Sequence, residues 1–267
     1  MPKVVRHGKP VQFLKKTVLH VPLYETVIDL TDPETFITVG LANNAVRAND
    51  ATQTHGDETF ESLVKKVHGS VVMNGTFFSK DDQKRVMGNM VSAGKFLKYS
   101  QWENFGTTLG LTAHNRPVMI TARVDEVPNW DEHWFSLTCG PRLLKDGAFW
   151  IHPEIEGFSD SHVLGIGPRC AIGFNSDRNK LILCTFLNGL SLQEEARLMK
   201  ELGCSDAMNL DGGASRSLAY HNQVVVPAGR ALTNVLVVYD ATNKAPRDLV
   251  NSWEHFQKDA HAVGQEP

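Results

Sequence analysis

The sequence has no excess of basic residues. Its 27 Lys and Arg residues are outnumbered by 30 Asp and Glu residues, which gives a formal net charge of −3. A protein that binds duplex nucleic acid needs clustered Lys and Arg to displace counterions from the phosphates. The sequence contains no such cluster, so nucleic acid is excluded as an expected partner.

Long apolar runs are also missing. No segment approaches the roughly 20 consecutive apolar residues that cross a bilayer. Residues Met1 to Pro10 carry charges but lead into no apolar segment of the kind found in signal peptides. We therefore expect a soluble protein without a membrane segment, either cytoplasmic or exported with its signal already removed. Nothing in the sequence indicates an oligomeric state.

Cysteine is scarce and is never spaced for metal binding. The four cysteines form no C-x-x-C pair, which argues against a thiolate metal site, and we expect them to be reduced and buried. The loop histidines His133, His152 and His162 lack the spacing of a zinc site. The acidic pairs at residues 81–82 and 131–132 fit a solvated face or a turn, but they could also supply oxygen ligands for Ca²⁺. The sequence thus requires no cofactor, although a divalent cation such as Ca²⁺ could bind.

Short strand patterns dominate what is present. Segments rich in Val, Ile, Leu, Thr and Phe, bounded by turn residues, predict strands at residues 26–30, 35–41, 70–73, 107–112, 135–139, 169–174, 180–186 and 234–239. Polar loops at 114–117 and 175–179 predict hairpin connections.

Two helices are predicted between these strands. The first has apolar residues at helical spacing from Phe60 to Val67, with Gly69 placed to end it. The second begins at a capping box of Ser191 and Glu194 and ends at Gly203. Glu195 interrupts its apolar face, and we place this residue at the edge of that face. Each helix leads into a short apolar strand and then into a polar loop.

The chain divides into three parts by composition. Residues 1–24 form an N-terminal extension with a first strand, and residues 25–240 form the main domain. Residues 241–267 are more polar, apart from one short amphipathic pattern, and are expected to be a docked or partly mobile appendage.

The most informative loop is Asn209-Leu210-Asp211-Gly212-Gly213-Ala214-Ser215. An acid at a strand end followed by two glycines places a carboxylate beside exposed backbone N–H groups, which can bind an anion. This arrangement suits chemistry on a phosphate-bearing substrate. The alternative is an ordinary hairpin, because Asp-Gly is a common turn dipeptide.

A second loop, Met73-Asn74-Gly75-Thr76-Phe77-Phe78, also follows a predicted strand. The Asn amide can donate to and accept from sugar hydroxyls, and an aromatic ring can stack on the apolar face of a sugar. A hairpin with two core Phe residues is the alternative interpretation. The glycosylation sequon at Asn74 lies between apolar residues that indicate burial.

Four arginines lie near strand ends, and each could bind phosphate through its two-pronged guanidinium group. Arg169 enters an otherwise apolar strand, and Arg230 precedes the final strand. Arg142 and Arg216 are the other two. A buried guanidinium needs an anionic partner, which a phosphate or a carboxylate can supply. For each arginine alone, a structural ion pair is the alternative.

The order and spacing of these motifs resemble the phosphodiester glycosidase family over residues 25–240. The resemblance rests on five blocks: Asn74-Gly75-x-Phe77-Phe78, Gly140-Pro141-x-Leu143, Pro168-Arg169-x-Ala171-Ile172-Gly173, Ala207-x-Asn209-Leu210-Asp211-Gly212-Gly213-x-Ser215 and Gly229-Arg230-x-x-x-Asn234. It implies an α+β fold with a mixed, largely β core, a few packed helices and an active site on strand-end loops. Ala214 and Arg216 depart from the family pattern, and we expect a bacterial or phage-type member.

The resemblance implies a hydrolase that cleaves the glycosidic C–O bond of a sugar-1-phosphodiester in a small molecule or a glycan. A phosphodiester departs as a stable anion, so one carboxylate and surrounding cations can suffice. The expected catalytic residues are Asp211, Arg169 and Asn74. The expected substrate-binding residues are Gly75, Phe77, Gly140, Arg142, Asn209, Gly212, Gly213, Ser215, Arg230 and Asn234. Two alternatives remain open: a binding module for a phosphorylated glycan, and a phosphodiesterase that cleaves P–O.

Overall fold

The structure is a computed structural model that describes residues 8–100, 104–126 and 128–263. Over these residues, strands form three antiparallel sheets with four α-helices. The strands are β1 (Gln12–Val18), β2 (Val21–Asp29), β3 (Phe36–Leu41), β4 (Val71–Asn74), β5 (Met90–Ser92), β6 (Lys95–Lys98), β7 (Thr107–Thr112), β8 (Pro117–Thr121), β9 (His133–Cys139), β10 (Arg142–Lys145), β11 (Ala148–Phe149), β12 (Gly167–Phe174), β13 (Lys180–Leu190), β14 (Asp206–Asn209), β15 (Leu218–Tyr220), β16 (Gln223–Val226) and β17 (Asn234–Tyr239). The helices are α1 (Phe60–Val67), α2 (Ser161–Leu164), α3 (Leu192–Glu201) and α4 (Arg247–Val263). The predicted α+β class with a largely β core is confirmed.

The central strands of the largest sheet are buried on both faces. The sheet has seven strands in the order β1-β2-β13-β12-β14-β10-β11. Successive side chains of a strand point to opposite faces, and in β12 Cys170 faces the main core while Ala171 faces a second core under α3. The near-continuous apolar sequence of β12 and β13 follows from this two-sided burial.

Two five-stranded sheets complete the main core. Their orders are β16-β15-β4-β17-β3 and β6-β5-β9-β7-β8. Apolar side chains of all three sheets meet in one cluster, which includes Met73, Leu109, Ile172 and Leu236. All eight predicted strands are present, and the loops at 114–117 and 175–179 do connect antiparallel neighbours.

Helix α1 has the predicted span, Phe60–Val67. The left-handed residue at its C-cap is His68, with φ of 51°, and Gly69 follows it. A Cβ on Gly69 would lie 2.7 Å from Cγ1 of Val237. Gly69 is thus required by close packing against β17.

Helix α3 has the predicted caps. Ser191 and Glu194 form the capping box, and Gly203 has φ of 88°. The placement of Glu195 at the edge of the apolar face is wrong, because this residue is 0% exposed. Helix α3 therefore carries a buried carboxyl group into the second core.

The two ends of the described chain pack onto the domain. The boundary drawn between residues 24 and 25 falls inside β2, which pairs with β13. At the other end, the Trp253 ring of α4 lies 5.2 Å from the Trp134 ring, and Trp134 Nε1 donates to Ser252 Oγ at 3.3 Å. None of the helices in residues 8–100, 104–126 and 128–263 combines the length and apolar character needed to cross a bilayer.

Candidate active site

The candidate site lies where the ends of β4 and β14 meet. These strands belong to different sheets, and their following loops are joined by two hydrogen bonds. The Asp211 N–H donates to the Gly75 carbonyl at 3.2 Å, and Asn74 Nδ2 donates to the Asp211 carbonyl oxygen. The chain crosses from β14 to β15 in another sheet, so the alternative interpretation of Asp211-Gly212 as a plain hairpin turn is excluded.

The Asp211 carboxylate is buried but well supplied with donors. Its side chain is 8% exposed. Oδ1 accepts from the Gly212 N–H at 2.9 Å, and Oδ2 accepts from Arg230 at 2.9 Å. Burial raises the pKa of Asp211 above its ordinary value of 3.8, against the opposing effects of Ser215, Arg230 and Gly212. The protein thus holds a partly desolvated acid at a strand end.

Arg230 is the cation at this carboxylate. Its guanidinium group stacks over the Phe78 ring at 4.1 Å, and its Nε donates to Ser215 Oγ at 2.6 Å. The Arg230 side chain is still 29% exposed. Stacking and hydrogen bonding fix the guanidinium plane, while the exposed part can contact a ligand from solvent.

The two glycines after Asp211 serve different purposes. A Cβ on Gly212 would lie 2.3 Å from the Pro168 carbonyl oxygen, so this position admits only glycine. Gly213 has φ of 54°, is exposed, and has open space at its Cβ position. Among the described residues, no acceptor binds the N–H groups of Gly213 and Ala214. These two groups are available to an anion, whereas the Gly212 N–H is used by Asp211.

Asn74 and Asn234 hold the loop framework together. Asn74 Oδ1 accepts from the Ser217 N–H at 3.0 Å, while its Nδ2 holds the Asp211 carbonyl. Asn234 Oδ1 accepts from the Thr76 N–H at 2.8 Å, and Nδ2 donates to the Thr76 carbonyl at 3.2 Å. Both side chains are buried, so the sequon asparagine Asn74 is not accessible for glycosylation.

Gly75 and Gly140 allow close approaches around this framework. A Cβ on Gly75 would lie 2.0 Å from Asn234 Oδ1. Gly140 has φ of 126°, and its carbonyl accepts from Asn209 Nδ2 at 2.9 Å. Asn209 is buried, and its Oδ1 has no partner in the described structure. The carbonyl groups of Gly75 and Gly140 thus hold the Asp211 loop and the end of β14.

Phe77 packs with other aromatic rings. It is half-buried, and its ring lies 5.9 Å from the Phe158 ring, which in turn lies 4.4 Å from the Phe105 ring. Phe78, its neighbour, supports Arg230. Of the two aromatics after Asn74-Gly75, Phe78 is thus the one in contact with Arg230.

Arg169 is placed away from the Asp211 carboxylate by its side-chain contacts. Its guanidinium group donates to the carbonyl oxygens of Leu190 at 3.2 Å, Val163 at 2.8 Å and Gly165. Its side chain is 4% exposed, and Glu195 Oε2 lies 3.9 Å from its Nε. The structural interpretation fits these contacts better than the expected catalytic role.

Arg142 is likewise held by the protein. Asp206 accepts from it at 2.6 Å and Asp125 at 3.1 Å, and its side chain is 3% exposed. Asp206 opens β14 while Asp211 follows its end. At about 3.3 Å per residue, the five residue steps from Asp206 to Asp211 span on the order of 15 Å. Arg142 therefore does not join the group around Asp211.

Two acidic residues, Glu156 and Glu195, are buried although the sequence did not predict their burial. Glu156 accepts from Thr107 Oγ1 at 2.5 Å and from the Arg142 N–H at 2.8 Å, and burial raises its pKa to about 7. Burial also raises the pKa of Glu195 to about 8, although Arg169 opposes the shift. Nothing in the sequence around Glu156 indicates burial, because its partners come from distant segments.

The remaining titratable candidates lie elsewhere. His133 is a buried residue of β9 rather than a loop residue, and burial lowers its pKa to about 4. All four cysteines are buried and free. Among the residues that the structure describes, no group of three His, Cys, Asp or Glu side chains is arranged to hold a metal ion.

Comparisons with known proteins agree with this architecture. The family model described as phosphodiester glycosidase matches residues 68–239, more than half of the chain. No curated protein matches the sequence significantly.

Solved structures with a similar fold include three from different organisms. The catalytic domain of zebrafish N-acetylglucosamine-1-phosphodiester alpha-N-acetylglucosaminidase, auto-inhibited by its pro-peptide, has a TM-score of 0.65 at 19% identity, over 86% of this chain and 82% of that one. A hypothetical protein from Synechocystis has a TM-score of 0.63 at 16% identity, over 85% of this chain and 61% of that one. A protein from Burkholderia pseudomallei described as exported has a TM-score of 0.57 at 12% identity, over 82% and 74%. The chain thus spans less than two thirds of the Synechocystis protein.

Proposed function

We propose that this chain, which belongs to the phosphodiester glycosidase family, hydrolyses the bond between the anomeric carbon of a sugar and the oxygen of a phosphodiester. The observation that carries the proposal is the buried Asp211 carboxylate, paired with Arg230 at 2.9 Å beside exposed N–H groups. The products are the free sugar and a phosphomonoester.

Asp211 acts at the anomeric carbon in this proposal. As a base it takes a proton from the attacking water, and as a nucleophile it forms a glycosyl ester that water then hydrolyses. In either route the C1–O bond breaks and its electron pair leaves with the phosphate oxygen. The carboxylate must be ionised, and the donors from Gly212 and Arg230 favour that form.

The leaving group needs cations rather than an acid. A phosphomonoester departs with its negative charge, so positive groups at the phosphate can replace the proton that ordinary glycosidases supply. Arg230 is suited to this task because it is fixed by Phe78 and Ser215 and remains 29% exposed. The N–H groups of Gly213 and Ala214 would contact the same phosphate.

The other predicted residues act on the loops rather than on the substrate. Asn74 and Asn234 use both ends of their amides within the protein. Arg169 binds three carbonyl oxygens and supports the segment at Pro168 against which Gly212 packs. We therefore assign these three residues to positioning the Asp211 loop and assign phosphate binding to Arg230.

A screen of sugar-1-phosphodiesters in ¹⁸O-labelled water tests the proposal. The expected result is release of a sugar that carries the label at its anomeric hydroxyl, with an unlabelled phosphomonoester. Label in the phosphate would instead mean P–O cleavage, and binding of the diesters without turnover would indicate a binding module. Either outcome would reject the proposed reaction.

A further inference from the structure

Arg216 differs from the other sheltered arginines of this protein. Four arginines in the described part of the chain are not exposed: Arg142, Arg169, Arg216 and Arg230. Arg142 and Arg230 each donate to a carboxylate, and Arg169 donates to three carbonyl oxygens with Glu195 3.9 Å away. Arg216 has no carboxylate oxygen within 4.0 Å among the described residues, and its guanidinium group makes one hydrogen bond, from NH1 to the Phe186 carbonyl at 2.7 Å.

This arrangement leaves a half-buried positive charge without a counter-charge. A neutral carbonyl oxygen satisfies one N–H group but cannot neutralise the guanidinium. Burial of an unpaired charge is unfavourable unless an anion accompanies it. The four remaining N–H donors match the planar, two-pronged geometry with which Arg binds phosphate or carboxylate.

The position of Arg216 connects it to the candidate site. It directly follows Ser215, whose hydroxyl accepts from Arg230. Burial raises the pKa of the Cys170 thiol to about 12. The charge of Arg216 opposes this rise and the charge of Asp211 adds to it, so both charged groups act on the same thiol. Arg216 and Arg230 nevertheless contact different parts of the protein, because Arg230 stacks on Phe78 and Arg216 binds Phe186 of β13.

We propose that Arg216 binds a second anionic group of the substrate, so that the preferred substrates carry a phosphate or carboxylate in addition to the phosphodiester. The inference rests on the proposed function for the identity of the first anion, which Arg230 holds. Arg230 is already committed to Asp211 and the phosphodiester, whereas Arg216 is paired with neither. A substrate with one negative charge would leave Arg216 without a counter-ion.

Binding of simple anions tests this subsite without requiring turnover. Calorimetry would compare inorganic phosphate with two bis-anions, pyrophosphate and ethane-1,2-diyl bisphosphate, on the wild type and on Arg216→Gln. Gln keeps an N–H donor for the Phe186 carbonyl and removes the charge. Arg116→Ala, at an exposed arginine in the β7–β8 turn, is the control.

We expect at least one bis-anion to bind the wild type more tightly than phosphate, and Arg216→Gln to weaken that binding about tenfold to a hundredfold, as for loss of a charged hydrogen bond. Phosphate binding should be unchanged. An equal loss for phosphate and both bis-anions would place Arg216 on the shared phosphate and overturn the proposal. No loss for either bis-anion would overturn it too.

Kinetics separate this inference from the proposed function. The ethyl and 2-phosphoethyl phosphodiesters of one sugar differ in their second anion, and Arg216→Gln should lower kcat/KM for the 2-phosphoethyl diester alone. If the wild type cleaves neither diester, the proposed function fails and the anion binding still decides the subsite. If both are cleaved and Arg216→Gln affects them equally, the subsite fails and the function stands.

Discussion

The substitution Glu195→Gln gives a pH-dependent test of the second core. Glu195 is 0% exposed, neither carboxyl oxygen accepts a hydrogen bond, and Arg169 Nε lies 3.9 Å away with its guanidinium group committed to carbonyl oxygens. Burial accordingly raises the pKa from 4.5 to about 8. Gln keeps the shape of the protonated side chain and cannot ionise.

The sign of the effect follows from proton binding. Between pH 4.5 and pH 8 the folded protein holds a proton on Glu195 that the unfolded chain has lost. The free energy of unfolding therefore falls as pH rises, by about 1.4 kcal/mol per pH unit for this group. Glu195→Gln lacks this slope, so its stability relative to the wild type should increase by about 3 to 4 kcal/mol between pH 5 and pH 8.

Urea unfolding at several pH values, followed by tryptophan fluorescence and far-UV circular dichroism, measures this difference. Glu201→Gln, at an exposed residue of the same helix, is the control and should parallel the wild type. A stability difference between Glu195→Gln and the wild type that does not change with pH would refute the reasoning. It would mean that Glu195 is ionised and forms a true ion pair with Arg169.

Three further predictions concern the site. Arg230→Ala should lower kcat roughly 10²–10³-fold, as for loss of a transition-state donor, whereas Arg169→Ala should mainly lower the melting temperature; equal kinetic losses would argue against the assignment to Arg230. Gly75→Ala should destabilise the fold by about 1–3 kcal/mol in urea unfolding, because the added Cβ lies 2.0 Å from Asn234 Oδ1, and an unchanged midpoint would contradict this packing. The pH–rate profile should lose activity on acidification at a pH above the ordinary aspartate value of 3.8, because burial raises the pKa of Asp211 and the protonated form is inactive; full activity down to that value would count against the role.

Much of the fold could be predicted because its signals are local. Strand β7 matches its predicted bounds at Thr107–Thr112, and the capping box at Ser191 and Glu194 is formed as expected. Apolar runs, turn residues and caps act over a few neighbouring residues, so a single sequence contains them. The loop after β14 was also predicted, since Asp-Gly-Gly at a strand end has a limited set of structural meanings.

The arginines show where local reasoning ends. Arg169 and Arg230 are equally plausible phosphate ligands in the sequence. The pleat of β12 places Arg169 on the face of Ala171, toward the second core, and Cys170 on the face of Asn74. That choice depends on strand register, which a single sequence does not fix.

Buried acids were missed for a related reason. Glu195 shares a helical face with Leu192 and Met199, and its charge suggested an edge position because ionised carboxylates avoid the core. The raised pKa resolves the conflict, since the neutral acid can be buried. Glu156 depends on Thr107 and on the Arg142 N–H, which are brought to it only by tertiary packing.

The turnover of Asp211→Asn on a sugar-1-phosphodiester tests the central claim most directly. Asn keeps the shape of the side chain and removes the charge that faces Arg230. We expect kcat to fall on the order of 10²–10⁴-fold with the far-UV spectrum unchanged, while Asp177→Asn, in the exposed β12–β13 turn, stays as active as the wild type. Near-normal hydrolysis by folded Asp211→Asn would contradict the account.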